Sequence, residues 1–197
     1  MKKSASKAGF TVVEAMISIA LIALVLTKLT IVVNEAQRAH RTESTSMALE
    51  DQASNLIDKI AYAVVGSSLE TLTPQLVAPF PMSALSYQVS LGVENGKVVW
   101  GEPEVVGLNA DGDQIYWGQN VGQANERLVV WCNTVSRMLE DEFENGFDDN
   151  DNGLADELGL AFVMDGKSIT IRLSLESTGK DGDTVQVTRE TTVTCRN

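Results

Sequence analysis

The chain has 197 residues, with 15 basic and 27 acidic side chains and a formal net charge of −12. Hydrophobic residues make up 44% of it, which is too apolar for a disordered chain and sufficient for one or two domains with a buried core. The excess of carboxylates argues against nucleic acid as a partner, because a phosphate-binding groove needs clustered Lys and Arg. A single histidine, His40, and two cysteines exclude most zinc sites, iron–sulfur clusters and catalytic triads.

The segment from Phe10 to Val33 is strongly apolar and contains two charged residues, Glu14 and Lys28. As a helix it is long enough to cross a hydrocarbon core of roughly 30 Å, and the lysines before it predict a cytoplasmic amino terminus. A secretory signal peptide requires a small-x-small cleavage site, which Val32-Val33-Asn34 does not provide. An ordinary membrane anchor leaves Glu14 unexplained, because a lone carboxylate in hydrocarbon costs about 2.5–3.5 kcal/mol.

The string KAGFTVVEAMISIALIAL resembles the amino terminus of type IV prepilins and pseudopilins. In that family a short basic leader ends in Gly, Phe usually follows, and Glu stands five residues into the mature chain. The resemblance implies a leader over residues 1–9, cleavage between Gly9 and Phe10 by prepilin peptidase, and N-methylation of Phe10. It also gives Glu14 a role in subunit assembly, because this carboxylate can neutralise the new amine of a neighbouring subunit in a water-poor filament core. Lys28 departs from the commonest pattern of the family.

One long helix is predicted to continue beyond the apolar segment. From Asn34 to about Val65 the chain lacks Gly and Pro, and Gly66 is a plausible end of the helix. Six apolar residues recur at helical spacing along one face, which predicts packing against a domain: Leu49, Ala53, Leu56, Ile57, Ile60 and Val64. We therefore divide the mature chain into a transmembrane and filament-core helix (10–33), an amphipathic stalk helix (34–66) and a head (67–197).

The head is predicted to be rich in antiparallel β-strands. Apolar and polar residues alternate after Pro81, and about seven short strands are separated by turn sequences. Three of these turns are Asn95-Gly96, Asp111-Gly112 and Asp165-Gly166. The predicted fold class is therefore α+β, with a long N-terminal helix, membrane-spanning in its first half, packed on an antiparallel β-rich head. The resemblance to pilins implies the same architecture.

The two cysteines, Cys132 and Cys195, are each predicted to point toward the core. In a regular strand Cys132 shares a face with Leu128 and Val130, and Cys195 shares a face with Val193. If the head is exported to an oxidising compartment, the two are placed to form a disulfide, which is also a frequent feature near the carboxyl terminus of pilins. The alternative is two buried free thiols.

An acidic loop over residues 144–157 is the second informative stretch. Asp148, Asn150, Asn152 and Gly153 match the opening of an EF-hand loop, which directs alternate oxygens toward a calcium ion. Because Gly159 occupies the twelfth position, the usual bidentate Glu is missing and a nearby acid must substitute. The predicted Ca²⁺ ligands are Asp148, Asn150, Asn152, Leu154 through its carbonyl, Asp156 and Glu157. The alternative is a solvated acidic loop without a metal.

The resemblance implies a structural protein and not an enzyme. The β-rich head and late acidic loop most resemble a J-type minor pseudopilin of type II secretion. Such a protein sits in the bacterial inner membrane with its head in the periplasm, then joins a pseudopilus with other pilins through its N-terminal helix and the inner-membrane assembly platform. Two alternatives stay open: a minor pilin of a surface type IV pilus, for adhesion or DNA uptake, and a membrane-anchored enzyme using Asp148, Asp149 or Glu157.

Overall fold

A computed structural model of the chain describes residues 11–74, 81–179 and 182–195. The chain divides into two compact units, Met1–Glu43 and Ser44–Asn197. The long α-helix, α1, is Val12–Val65, and the remaining regular structure is a short 3-10 helix, Leu69–Thr71, followed by β-strands. The predicted α+β fold class, with one N-terminal helix before an antiparallel β region, is confirmed.

In the first unit, the helix from Val12 to Glu43 has no buried residue among those described. The apolar side chains of Leu21, Leu24 and Val25 are each more than half exposed, as are most of their neighbours in the segment. The helix contains an 18-residue window with a mean hydropathy of 2.5, which is long and apolar enough to cross a membrane. This agrees with the predicted membrane-spanning segment.

In the second unit, the helix buries one face. The buried residues of α1 are the six predicted from the spacing, and Ala53, Ile60 and Val64 are completely excluded from solvent. The helix ends as predicted, with the Gly66 amide donating to the Tyr62 carbonyl at 3.2 Å. The six residues pack in one core with apolar residues of the strands, so burial of this face holds the helix end on the head.

The β-strands of the described residues form three antiparallel sheets. Strands β1, β4, β5 and β6 form one sheet in the order β1-β4-β5-β6, β2 and β3 form a hairpin, and the third sheet has the order β7-β8-β9. An isolated bridge between Met82 and Phe162 links the segment before β1 to β7. The strands are β1 (Ala84–Tyr87), β2 (Ser90–Glu94), β3 (Lys97–Trp100), β4 (Glu104–Leu108), β5 (Ile115–Gln119), β6 (Arg127–Cys132), β7 (Leu160–Asp165), β8 (Ser168–Thr178) and β9 (Thr184–Thr194).

Two predicted turns illustrate how closely the sequence pattern locates a hairpin. Asn95 and Gly96 have φ angles of 51° and 76° and join β2 to β3, as the Asn-Gly signal predicts. Between β7 and β8, Asp165 pairs with Ser168, so the two-residue turn is Gly166-Lys167 and not the predicted Asp165-Gly166. The hairpin was therefore predicted correctly, and its turn lies one residue later.

A β-bulge changes the predicted face of β6. Ile115 pairs with Cys132 and Tyr116 pairs with Val130, so one extra residue of β6, Trp131, lies between the two pairs. The extra residue reverses the alternation, and Val130 is exposed while Cys132 is buried. The prediction that Cys132 is buried is thus confirmed, but the reason given for it was wrong, because Cys132 does not share a face with Val130.

Candidate functional site: the apolar helix and the acidic loop

The start of α1 places Glu14 in a capped first turn. The hydroxyl oxygen of Thr11 accepts a hydrogen bond from the Glu14 amide at 3.2 Å, and the Thr11 carbonyl accepts one from the Ala15 amide at 3.1 Å. Thr11 is therefore the N-cap residue, and Glu14 is the third helical residue, where the helix dipole favours an anion. The Thr-x-x-Glu spacing is an N-terminal helix signal that our sequence reading did not use. Gly9 and Phe10, the predicted cleavage residues, lie outside the described residues.

Hydroxyl groups within the apolar segment are satisfied by the helix itself. Ser18, Thr27 and Thr30 each donate to the carbonyl four residues earlier, at 2.8, 2.8 and 2.9 Å. This arrangement leaves no hydroxyl donor of these three residues unpaired, which suits a helix surrounded by hydrocarbon or by other apolar helices. The charged residues Glu14 and Lys28 are exposed on the helix surface and are available to groups outside this chain.

In the acidic loop, three predicted calcium ligands share one turn. The two carboxylate oxygens of Asp148 accept from the amides of Asn152 and Gly153, at 3.1 and 2.7 Å. The side-chain oxygen of Asn150 also accepts from the Asn152 amide, at 3.1 Å. Gly153 has a φ of 89°, a conformation that a side chain at this position would strain. The sequence motif therefore predicted a real turn, built around Asp148.

Two buried glutamates hold the loop to the head. Glu157 is fully buried, and its carboxylate accepts from Arg172 Nη1 at 2.8 Å and from the side-chain amide of Asn152. Glu142 is also buried, and its two oxygens accept from the amides of Asn150 and Asp156, at 3.3 and 3.1 Å. Our sequence reading missed Glu142 and Arg172, because nothing in the local pattern distinguishes a buried acid from its many exposed neighbours.

The remaining predicted ligands, Asp156 and Leu154, form other contacts in the loop. The carboxylate of Asp156 accepts from the amides of Asn145 and Gly146, at 2.8 and 3.0 Å. The Leu154 amide donates to the side chain of Asn152 at 2.9 Å. Among the residues that the structure describes, no group of three or more His, Cys, Asp or Glu side chains is arranged to hold a metal. The turn thus unites Asp148, Asn150 and Asn152, and joins Glu157 to them through Asn152.

A cavity of about 290 Å³ lies beside the acidic loop. Its lining combines loop residues with strand residues: Leu139, Glu140, Asp141, Asn150, Asn152, Arg172, Thr188 and Glu190. The guanidinium of Arg172, at the edge of the cavity, binds two carboxylates. Its Nε donates to Glu190 at 2.7 Å, and its Nη1 donates to Glu157. Of the acids considered for catalysis, Asp148, Asp149 and Glu157 do not line the cavity.

The predicted disulfide is absent, and the two thiols are free. Cys132 Sγ lies 3.4 Å from Gln52 Nε2, whereas the Cys195 thiol lies near Ser67. Gln52 lies 13 residues before Val65, the last residue of α1, and Ser67 follows just after the end of the helix. At 1.5 Å per residue, the two places that the thiols approach are about 20 Å apart along the helix axis. A disulfide requires Cα atoms within about 7 Å. Both cysteines are buried as predicted, but they lie at opposite ends of the core.

Comparison with known families supports the interpretation of the amino terminus. A family model described as the prokaryotic N-terminal methylation motif matches residues 4–27. The matched segment contains Gly9, Phe10 and Glu14 and the first part of the apolar helix, and it supports a place for this chain in the type IV pilin and pseudopilin superfamily. Such a motif implies processing by a prepilin peptidase, assembly with other pilins and anchoring in a membrane. No curated protein and no solved structure matches the chain.

Proposed function

We propose that this protein is a structural subunit of a filament built from type IV pilin-like proteins. The observation that carries this proposal is the methylation motif over residues 4–27, which includes the start of an apolar helix with no buried side chain in its membrane-length window. An exposed apolar surface of this size is stable in a lipid bilayer or against other apolar helices, and not in water. The same surface can therefore serve first as an anchor and then as the contact between subunits.

Glu14 supplies the electrostatic part of this assembly. Cleavage after Gly9 creates a positively charged amine at Phe10, and a neighbouring copy of Glu14 can neutralise it. In a filament core both charges would otherwise be buried alone, which is strongly unfavourable. The exposure of Glu14 in the first turn of α1 leaves its carboxylate accessible to such a neighbour.

Within this class, we propose a J-type minor pseudopilin of a type II secretion system. The long helix, the β-rich head and the acidic loop late in the chain support this assignment. Its partners are other pseudopilins, the prepilin peptidase and the inner-membrane assembly platform, and its head lies in the periplasm. The alternative is a minor pilin of a surface type IV pilus. Deleting the gene separates the two, since only a pseudopilin is required for export of secreted proteins.

Mass spectrometry of the protein isolated from its own cells tests the core of the proposal. The expected mature chain begins at an N-methylated Phe10, and Gly9→Ala leaves the leader attached. Ala8→Gly is the matched control, because it changes the leader one residue before the cleavage site and leaves Gly9 in place. Finding the uncleaved chain as the working form would overturn the proposal.

The role of Glu14 is tested separately from cleavage. Glu14→Leu is expected to be cleaved normally but to enter filaments poorly, because the amine of the neighbouring subunit loses its counter-charge. Glu43→Leu, which removes a charge farther along the same helix, is the control and is expected to assemble normally. Normal filament function with Glu14→Leu would show that the proposed pairing does not operate in this subunit.

Calcium binding by the acidic loop is proposed as a structural role of the head and involves no catalytic step. Asp148, Asn150 and Asn152 supply oxygens from one turn, and Glu157 is held next to Asn152; these oxygen donors suit a hard cation. Calorimetric titration of a soluble fragment beginning at Asn34 tests this, with Asp148→Asn as the variant and Asp113→Asn, in another turn, as its control. The absence of heat and of a melting shift at millimolar calcium would refute it.

A further inference from the structure

Two apolar β-surfaces of the head have no strand partner in the part of the chain that the structure describes. The first is the outer edge of β6, which pairs on one side with β5 and ends the four-stranded sheet. Its residues Leu128, Val129 and Val130 are each about half exposed. The second is the β2–β3 hairpin, a separate two-stranded sheet in which Val93 and Val98 are opposite each other and exposed. Both surfaces present apolar area that a partner can cover.

The outer edge of β6 lacks the usual protection of an edge strand. Such a strand leaves backbone amide and carbonyl groups unpaired, and natural proteins protect it with charged residues or proline. The edge strand β9 follows this rule, since it contains Arg189 and Glu190. In β6 the only charged residue is Arg127, at its start, and the strand contains no Gly or Pro. Its pairing with β5 is regular from Arg127 to Val130. This stretch is therefore suited to binding a further apolar strand.

The outer edge of β3 offers a matching strand. At the base of the hairpin, β2 is bonded to the end of α1, because the Ser90 amide donates to the Gly66 carbonyl at 3.2 Å. Among the described residues, no backbone group outside the hairpin bonds to β3 (Lys97–Trp100). After Lys97 this strand is uncharged, and all its residues are β-branched or aromatic. A two-stranded hairpin is marginally stable in water, so β3 gains stability by joining a larger sheet.

We infer that β3 of one copy pairs with the outer edge of β6 in a second copy, so that the hairpin extends the four-stranded sheet to six strands. This inference rests on the proposed filament. The contact joins two different surfaces of the same chain, and such a head-to-tail contact can repeat from subunit to subunit. Pairing of β6 with β6 of a second copy would join identical surfaces and end with a dimer, which does not build a filament.

The charges favour antiparallel pairing of the two strands. Parallel strands would bring Lys97, at the start of β3, close to Arg127, at the start of β6, whereas antiparallel strands place these like charges at opposite ends. The apolar residues then form three cross-strand pairs within the regular part of β6: Val98 with Val130, Val99 with Val129, and Trp100 with Leu128. Pairs of β-branched and aromatic residues are among those that stabilise a sheet most.

Cysteine cross-linking between copies tests the pairing and its register. Two distinguishable tagged copies of the full chain are expressed together in cells that assemble the filament, one with Val98→Cys and the other with Val130→Cys, and the filaments and membranes are oxidised. Val99→Cys with Val129→Cys is tested in the same way. Of two successive pairs in an antiparallel ladder, one is non-hydrogen-bonded and brings its side chains closer. We expect at least one of the two combinations to form a disulfide-linked dimer that needs both substitutions.

The matched control replaces the apolar edge with the polar one. Thr192 lies on β9, is exposed and belongs to the same head, so Val98→Cys with Thr192→Cys should form only background amounts of dimer. The native cysteines, Cys132 and Cys195, are buried and are present in every combination. Each single cysteine variant expressed with an unsubstituted copy measures their contribution.

Charge substitution tests the contact itself. Val130→Lys is expected to lower incorporation into filaments about tenfold or more, because the pairing would remove the ammonium group from water without a counter-charge. Adding Val98→Glu to the same chain places opposite charges across each contact between copies and should recover most of the loss. Thr192→Lys is the control and should assemble like the unmodified chain. Val130 and Val98 are exposed, so the head of each variant should melt like that of the unmodified chain.

The outcomes separate this inference from the function on which it rests. If the unmodified chain is cleaved and enters filaments, but neither cysteine combination exceeds the Thr192→Cys control, the inference is wrong. Dimers that Val130→Cys copies form without Val98→Cys, or cross-links to a different pilin in place of a second copy, would also overturn it. If the unmodified chain is neither cleaved nor found in filaments, the proposed function fails together with the inference.

Discussion

Breaking the contact between Arg172 and Glu157 should strongly destabilise the head. Arg172→Met removes the guanidinium that donates to the fully buried Glu157 carboxylate at 2.8 Å, and it leaves that charge with only the Asn152 amide. Removing one partner of a buried ion pair costs about 3–5 kcal/mol. The Arg172 side chain is 18% exposed, so we expect a value near the lower end of that range.

The matched control is Arg189→Met, which breaks a pair of the same chemistry at the surface. Arg189 contacts Glu50 at 3.2 Å, and the two side chains are 42% and 48% exposed. A surface pair contributes about 0–1 kcal/mol, because water screens it and solvates both charges. The two substitutions therefore differ in the burial of the carboxylate that they leave behind, and in the second, exposed pair with Glu190 that Arg172 also forms.

Thermal and urea unfolding of a soluble fragment beginning at Asn34 measures both changes. The fragment retains every residue of the described core, which begins at Leu49. With about 2–4 °C per kcal/mol for a domain of this size, Arg172→Met should lower Tm by about 6–12 °C and Arg189→Met by at most about 4 °C. Glu157→Met combined with Arg172→Met should recover much of the loss, because no buried charge then remains. Equal effects of the two single substitutions would refute the reasoning.

Three further predictions concern the head. Gly159→Ala should prevent normal folding, because its Cβ would lie 1.8 Å from the Ser136 carbonyl oxygen. Gly179→Ala is the control, since its Cβ would lie 3.5 Å from the Asp183 carbonyl oxygen, and it should melt like the native fragment. Thermal melting followed by circular dichroism measures both variants. Cys132 and Cys195 should both react with a thiol reagent after unfolding without reductant, and a failure to react would restore the predicted disulfide. Burial, with a smaller contribution from nearby Glu104, raises the pKa of Tyr87. The free energy of unfolding should therefore fall as pH rises above about 10, because Tyr87 ionises in the unfolded chain and stays protonated in the native one. In urea unfolding at several pH values, Tyr87→Phe should reduce this dependence on pH. An unchanged dependence would contradict the prediction.

The sequence predicted those parts of the head in which one regular period governs burial. The helical spacing identified all six buried residues of α1, and along β8 the alternating apolar residues Ile169, Ile171, Leu173 and Leu175 are completely buried. In both elements each side chain points where an ideal helix or strand directs it. A one-dimensional pattern is sufficient in such cases, because the tertiary structure adds no local irregularity.

The predictions that failed depend on contacts between distant segments. The bulge at Trp131 in β6 depends on the pairing with β5, and alternation within β6 alone cannot reveal it. The cysteines were expected to meet because both are buried, but burial does not specify which part of the core a side chain reaches. Glu142 and Arg172 were missed for a related reason. Their importance comes from the amides and carboxylates that the fold brings to them.

The burial of the two units indicates that stability and assembly depend on different residues. The described core lies within Ser44–Asn197, whereas the helix residues described before Glu43 include none that is buried. The head therefore has its own hydrophobic driving force for folding, while the apolar helix gains stabilisation only from lipid or from other subunits. A substitution such as Arg172→Met should consequently lower the free energy of unfolding of the head. Glu14→Leu should leave that free energy unchanged and affect only the formation of filaments.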